Sequence, residues 1–210
     1  GSEMCIRDSP RPTANDRGCG LDLGTSGTGC SCKVEYPRCN FNDEFFMNDQ
    51  QMKHVRDKTS LTAGTFYFDY NSDRLYFFDN PSGKKLEVTV GRKMISYSSA
   101  KNVTIRNLII EKFASPTQES AVENYGDNSI VEFSEIRWNH STGVGVGNNG
   151  KLRNNYVHHN GQFGLGSKGN STGMLIEKNE VAFNNTSGHE ESWGAGGSKW
   201  ALSENYTVRE

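Results

Sequence analysis

The sequence predicts an all-β solenoid in which short parallel strands stack coil upon coil. Three observations predict it. The composition is too poor in apolar residues for a thick core, aliphatic residues recur at a period of 21 to 28 positions, and Asn or Gly breaks the chain around each recurrence.

The composition sets the bounds. Of 210 residues only 33 % are hydrophobic, with a mean hydropathy of −0.72. Gly (23) and Asn (21) together make 44 residues. Aromatics at 10 % nevertheless argue against disorder. A net charge of −2 gives no basis for a general nucleic-acid binder. No window approaches 18 apolar residues, so no membrane span is expected.

The repeat starts at Val103. An aliphatic residue is followed five positions later by a second, and three later by a polar residue. The sets read Val103, Leu108, Glu111; Val131, Ile136, Asn139; Leu152, Val157, Asn160; and Ile176, Val181, Asn184. The central aliphatics are spaced by 28, 21 and 24 residues. Periods of this size mean stacked supersecondary units. Leucine-rich repeats want Leu at several fixed positions, which these copies lack. A parallel β-helix fits better, with about four coils and the start of a fifth at Val208. Asn tolerates left-handed backbone, so Asn139, Asn160 and Asn184 are expected to form a ladder.

Residues 102–113 (NVTIRNLIIEKF), 131–146 (VEFSEIRWNHSTGVGV) and 152–166 (LRNNYVHHNGQFGLG) resemble a right-handed parallel β-helix of the pectate-lyase-like superfamily. Trp193 to Trp200 (WGAGGSKW) resembles a signature of secreted bacterial β-helix proteins of largely unassigned function, and residues 61–90 resemble the β-rich segment that precedes their coils. The resemblance covers roughly residues 30–210. It implies an extracellular or cell-surface protein. It does not imply one chemistry, because the superfamily holds lyases, hydrolases, epimerases and non-enzymes.

The rest of the chain is read as follows. Residues 1–9 (GSEMCIRDS) have neither periodicity nor the apolar stretch of a leader, and read as translated adapter sequence. Residues 10–40 are irregular and Cys/Gly-rich. Cys19, Cys30, Cys32 and Cys39 allow three disulfide pairings, with free thiols or a metal site as alternatives. Residues 41–97 are read as a β-rich N-terminal cap. Residues 65–70 (TFYFDY) and 75–78 (LYFF) form a hairpin, and 86–90 (LEVTV) alternates with period two. The aromatics there are read as core. Residues 98–210 are the coils. The chain is expected to be a fragment, inactive and aggregation-prone alone because its last coil is an uncovered edge, and monomeric when full length.

Stacking turns sequence columns into surface stripes. One position after the central aliphatics lie Ile109, Arg137, His158 and Ala182, expected to face outward with Arg137 and His158 about 4.8 Å apart. One further on lie Ile110, Trp138, His159 and Phe183, expected inward, with His159 in the core. Two nine-residue insertions, Lys112–Ser120 and Asn185–Trp193, leave the same corner three coils apart. At about 4.8 Å per coil they stand roughly 14 Å apart, walls of a groove floored by coils two and three.

That groove is expected to take a polysaccharide. Glu119, Glu190, Glu191 and His158 are the catalytic candidates, and Arg137, Gln118, His189, Trp193 and Lys199 the substrate-binding ones. A Trp face stacks on sugar rings. A cation beside a uronate eases proton abstraction at C5, the step shared by lyases and epimerases. Hydrolysis needs two facing carboxylates, and Glu119 with Glu190 or Glu191 is the pair available. The alternative is a non-catalytic carbohydrate-binding or structural module. No motif calls for a cofactor. Calcium stays open as a carboxylate-bound ion, although Asp127 is the sole Asp after residue 100. The Gly-rich stretches lack the strand–loop–helix setting of a phosphate loop.

Overall fold

The structure is a computed structural model that describes residues 2–5 and 32–210, without the side chains of residues 2–5 and Trp193. From residue 95 the chain coils, and each coil lays strands into three parallel sheets. The first sheet holds Thr104–Arg106, Ile130–Glu132, Lys151–Arg153, Leu175–Glu177 and Thr207–Arg209. The second holds Ile109–Glu111, Glu135–Arg137, Tyr156–His158 and Glu180–Ala182. The third holds Ile95–Tyr97, Ser120–Asn124, Thr142–Val146, Phe163–Ser167 and Gly196–Lys199.

The core is a thin aliphatic column. Ile105, Val131, Leu152 and Ile176 stack in the first sheet, and Ile110, Ile136 and Val157 in the second. Val122, Val144 and Leu165 close it from the third. Each buried aliphatic contributes about 1.5–3 kcal/mol, so a few per coil suffice. At the corners the chain turns through left-handed residues. One such column is Asn107, Phe133, Asn154 and Lys178, and the next is Lys112, Trp138, His159 and Phe183.

The Asn ladder forms as expected. Asn139 Nδ2 donates to Asn160 Oδ1 at 2.9 Å, and Asn160 Nδ2 to Asn184 Oδ1 at 3.0 Å. A second ladder, Asn155 to Asn179 at 2.9 Å, runs along another corner.

Two register expectations are corrected. The central aliphatic of the first coil is Ile110, paired with Ile136, rather than Leu108, and Ile105 takes the place of Val103. Leu108 and Ile109 are instead 41 % and 64 % exposed. Glu111, not Ile109, therefore shares a row with Arg137, His158 and Ala182. The column holding Trp138, His159 and Phe183 does not face inward. Its residues sit past the strand ends at φ 51–54°, where strand alternation no longer applies, and Phe183 is 70 % exposed. His159 is half-buried at this corner rather than in the core.

The N-terminal segment is β-rich with an aromatic core. Thr65–Asp69 and Arg74–Phe77 form the expected antiparallel hairpin. Leu86–Val88 pairs with Phe45–Met47. Phe45, Phe66, Phe68, Leu75 and Phe77 are buried together, while Phe78 is exposed. Ser2–Cys5 pairs antiparallel with Arg74–Phe77. Residues 39–54 lie along the flank of the coils, touching Lys112, Trp138, His140 and Ser187 in turn. Cys32 and Cys39 are joined by a disulfide. Cys19 and Cys30 lie outside the described residues.

Candidate functional site

The expected groove between the two insertions is not open, which is a further correction. Its floor residues His140, Ser141 and Gln162 are fully buried. The flank segment covers them. Glu44 Oε1 meets His140 Nδ1 at 2.7 Å and accepts from Ser187 Oγ at 3.1 Å. His189 is buried behind the same contact, with Nδ1 3.3 Å from Cys39 Sγ. Burial, then the charge of His140, pushes its pKa down to about 3.

The open concavity lies one face over, on the outside of the third sheet. Two adjoining hollows of about 330 and 450 Å³ share Gln118, Tyr125, Ser167 and Lys168. Strand register lays a row across this face: Ser96, Glu123, Gly145, Gly166, Lys199. The two glycines keep the middle of the floor flat. A Cβ on Gly145 would lie 2.8 Å from the Tyr125 ring, whereas at Gly166 the nearest atom would be Thr142 Cγ2 at 3.5 Å.

Each end of the row is polar. At one end Lys93 binds Glu119 at 2.5 Å and Glu123 at 2.9 Å, and Ser96 Oγ donates to Glu123 at 2.6 Å. At the other, Lys199 Nζ donates to Gln118 Oε1 at 3.2 Å and lies 5.6 Å from the Phe163 ring centroid. Burial lowers the Lys199 ammonium below the usual lysine value. Among the described residues lining the two hollows, Lys168 and Lys199 are the cations and Glu123 the one acid.

A residue with no sequence signal aligns this end. Gln162 Oε1 accepts from Gln118 N and Ser141 Oγ, both at 2.9 Å, and its Nε2 donates to Gly194 O at 2.9 Å. It thus joins the first insertion, the second coil and the end of the fourth. Gln118 itself sits at φ 69°. Its Nε2 is buried without a hydrogen-bond acceptor among the described residues.

Other sequence candidates lie elsewhere. Arg137 and His158 do occupy adjacent coils in one row. Both are engaged: Arg137 donates to Glu111 at 2.7 Å and Glu135 at 2.6 Å, and His158 Nε2 lies 3.0 Å from Glu135. Burial pushes the Glu135 carboxyl up, yet the bonds from His158 and Arg137 outweigh it and leave it below the usual carboxylate value. Glu191 is exposed and paired with Lys33 at 2.8 Å. Glu190 caps the short helix Glu191–Gly194 without a side-chain cap bond. The Trp193 side chain lies outside the described residues. Glu119 and Glu191 are thus each tied to their own cation. No three His, Cys, Asp or Glu among the described residues are grouped to hold a metal ion.

A family model described as "Right handed beta helix region" matches residues 91–205. No curated protein sequence matches the chain. Among solved structures, one described as "The complex structure of XylC with xylose" is similar, with a TM-score of 0.60 at 10 % identity. The alignment covers 76 % of this chain but 36 % of that one, and at this identity it speaks for the fold alone.

Proposed function

The chain belongs to the right-handed β-helix family, and from that premise we propose that it is an extracellular carbohydrate-engaging protein whose groove on the third sheet takes a segment of an acidic glycan. One observation carries the reading: Gln118 and Lys199 meet at 3.2 Å beside the flat glycine floor, with Lys168 on the same lining. Sugar rings need a shallow bed with hydrogen-bonding edges, and uronate carboxylates need cations. The Cys32–Cys39 disulfide favours an oxidising compartment. The similar solved structure is described with xylose, which agrees with a sugar ligand but does not choose one.

Of the expected reaction types, proton abstraction beside a carboxylate is the one this groove supports best. In this reading Lys199, partly desolvated beside the bed, is the group that accepts the C5 proton of a uronate, and Lys168 is the cation left for its carboxylate. In an elimination the C4–O bond then breaks, a C4–C5 double bond forms and the departing oxygen takes a proton from solvent. An epimerisation instead needs a second group to deliver a proton to the opposite face. Retaining or inverting hydrolysis needs two facing carboxylates, and the acids here are tied to Lys93 and Lys33. The second reading is a binding module without turnover, favoured by the engagement of Glu119 and Glu123 with Lys93.

The test is a panel of uronate and neutral oligosaccharides, with binding and ultraviolet-absorbing unsaturated product both followed, on the chain and its Lys199→Met variant. Uronate turnover lost in the variant supports the enzyme, and binding without turnover supports the module. No preference for uronates over neutral glycans would overturn both.

A further inference from the structure

The flank where residues 36–54 meet the coil corner forms a separate, partly open cavity of about 140 Å³. That is far more than the roughly 10–15 Å³ a single water needs. Arg38, Glu44, Lys53, His54, His140 and Thr186 are among its lining residues.

Four polar atoms of its lining residues, on Arg38, His54, His140 and Thr186, are buried with no hydrogen-bond partner among the described residues. The Arg38 guanidinium lies 4.5 Å from the Phe41 ring centroid and 4.7 Å from that of Tyr67. Its Nη1 and Nη2 donate to the carbonyls of Phe68 and Arg56, at 3.3 and 2.9 Å. Those acceptors are neutral, so the positive charge is not cancelled by them. Its Nε–H is buried with no acceptor among the described residues.

His54 adds a second donor. The Phe68 N–H donates to His54 Nε2 at 3.3 Å, so that nitrogen carries the lone pair. Burial, then the charge of Arg38, keeps the ring neutral. Its one proton therefore sits on Nδ1, which is buried and unpartnered among the described residues. Thr186 Oγ1 and His140 Nε2 are in the same condition.

The acid on this lining is already engaged. Glu44 Oε1 faces His140 Nδ1 and accepts from Ser187, and its Oε2 accepts from Gln51 Nε2 at 2.9 Å. A cation would meet N–H groups and Arg38. A neutral polyol would bring hydroxyl protons with Glu44 already occupied. A carboxylate is acceptor-only, with about four lone-pair sites.

We propose that this cavity binds the carboxylate of a small organic acid, held by Arg38 Nε–H, His54 Nδ1–H and the Thr186 hydroxyl, with Lys53 adding positive charge. It is a site apart from the groove on the third sheet and stands whether or not that groove takes a glycan. The carboxylate has two sources in chemistry, a free short acid or a sugar acid.

Calorimetric titration of the Lys168→Met/Lys199→Met double variant tests it, since both of the groove's cations are then removed. The probes are acetate, galacturonate and galactose. Binding of both acids assigns the site to carboxylates generally, and binding of galacturonate alone assigns it to a sugar acid. Thr186→Val, which keeps the side-chain volume, should weaken binding about fivefold. Arg38→Met should abolish it, with melting curves run alongside. If Arg38→Met fails to fold, Thr186→Val decides. Binding of neither acid, equal binding of galactose and galacturonate, or unchanged affinity in Thr186→Val would overturn the proposal.

Discussion

Lys199 Nζ donates to Gln118 Oε1 at 3.2 Å across 81 residues of chain. The two reach each other because coil stacking shortens sequence distance. Lys199 is the rung beside Gly166 on the outer face of the third sheet, and Gln118 lies in the first insertion on the same side. The ammonium is partly desolvated there, which makes it both a lysine of lowered pKa and a ready partner for an anion.

Gln162 should matter as much as the residues that line the groove. Replacing it by Leu strands the N–H of Gln118, the hydroxyl of Ser141 and the carbonyl of Gly194. Buried groups left unpaired cost about 1–3 kcal/mol each, so Gln162→Leu should destabilise by about 3 kcal/mol. Urea unfolding reads the loss. A change near zero would mean that the insertions are held by other contacts.

The Asn ladder should be strongest at its middle rung. Asn160 accepts from Asn139 and donates to the carbonyls of Ile136 and His158 and to Asn184. Asn160→Ala should cost about 3 kcal/mol, and Asn184→Ala, half-buried at the ladder end, about 1 kcal/mol. Equal losses in chemical denaturation would show that the rungs act independently of position.

How much of this was legible turns on local pattern. The stacking and three of the four coil registers follow from aliphatics five apart with Asn three later. The first coil misleads because residues 102–113 hold two overlapping pairs with that spacing, Val103 with Leu108 and Ile105 with Ile110. Only the backbone separates them, since Asn107 turns left-handed three residues before Ile110 as Phe133 does before Ile136. The Trp138 column misleads for the same reason, a positive φ that ends strand alternation. The flank is less legible still. Glu44 and His140 touch at a separation of 96 residues with no local mark. Gln118 and Lys199 were readable as candidates, but as one wall and a residue just beyond the other rather than as one contact, and Gln162 carried no signal at all.

Acid should weaken the fold through His189. The unfolded chain takes a proton there below about pH 6.5, while burial keeps the folded chain from taking it until about pH 3. The contribution is therefore whole above pH 6.5 and is lost as pH falls toward 3. Between pH 7 and pH 5 the loss should be about 2 kcal/mol. His54, also held low by burial, adds in the same direction. Urea midpoints across that range should fall for the native chain and less steeply for His189→Gln. Identical slopes would mean that His189 is protonated alike in both states.

The most direct measurement fills the groove without touching its polar groups. Gly166 is not left-handed, and an added Cβ would meet Thr142 Cγ2 at 3.5 Å and the Lys199 carbonyl at 3.8 Å, both ordinary contacts. Gly166→Leu should therefore fold with an unchanged melting temperature and project its side chain into the bed. Titrated with an oligogalacturonate, the native chain should bind and this variant should not. Equal binding by the folded variant would contradict the account, because the glycan would then lie elsewhere on the protein.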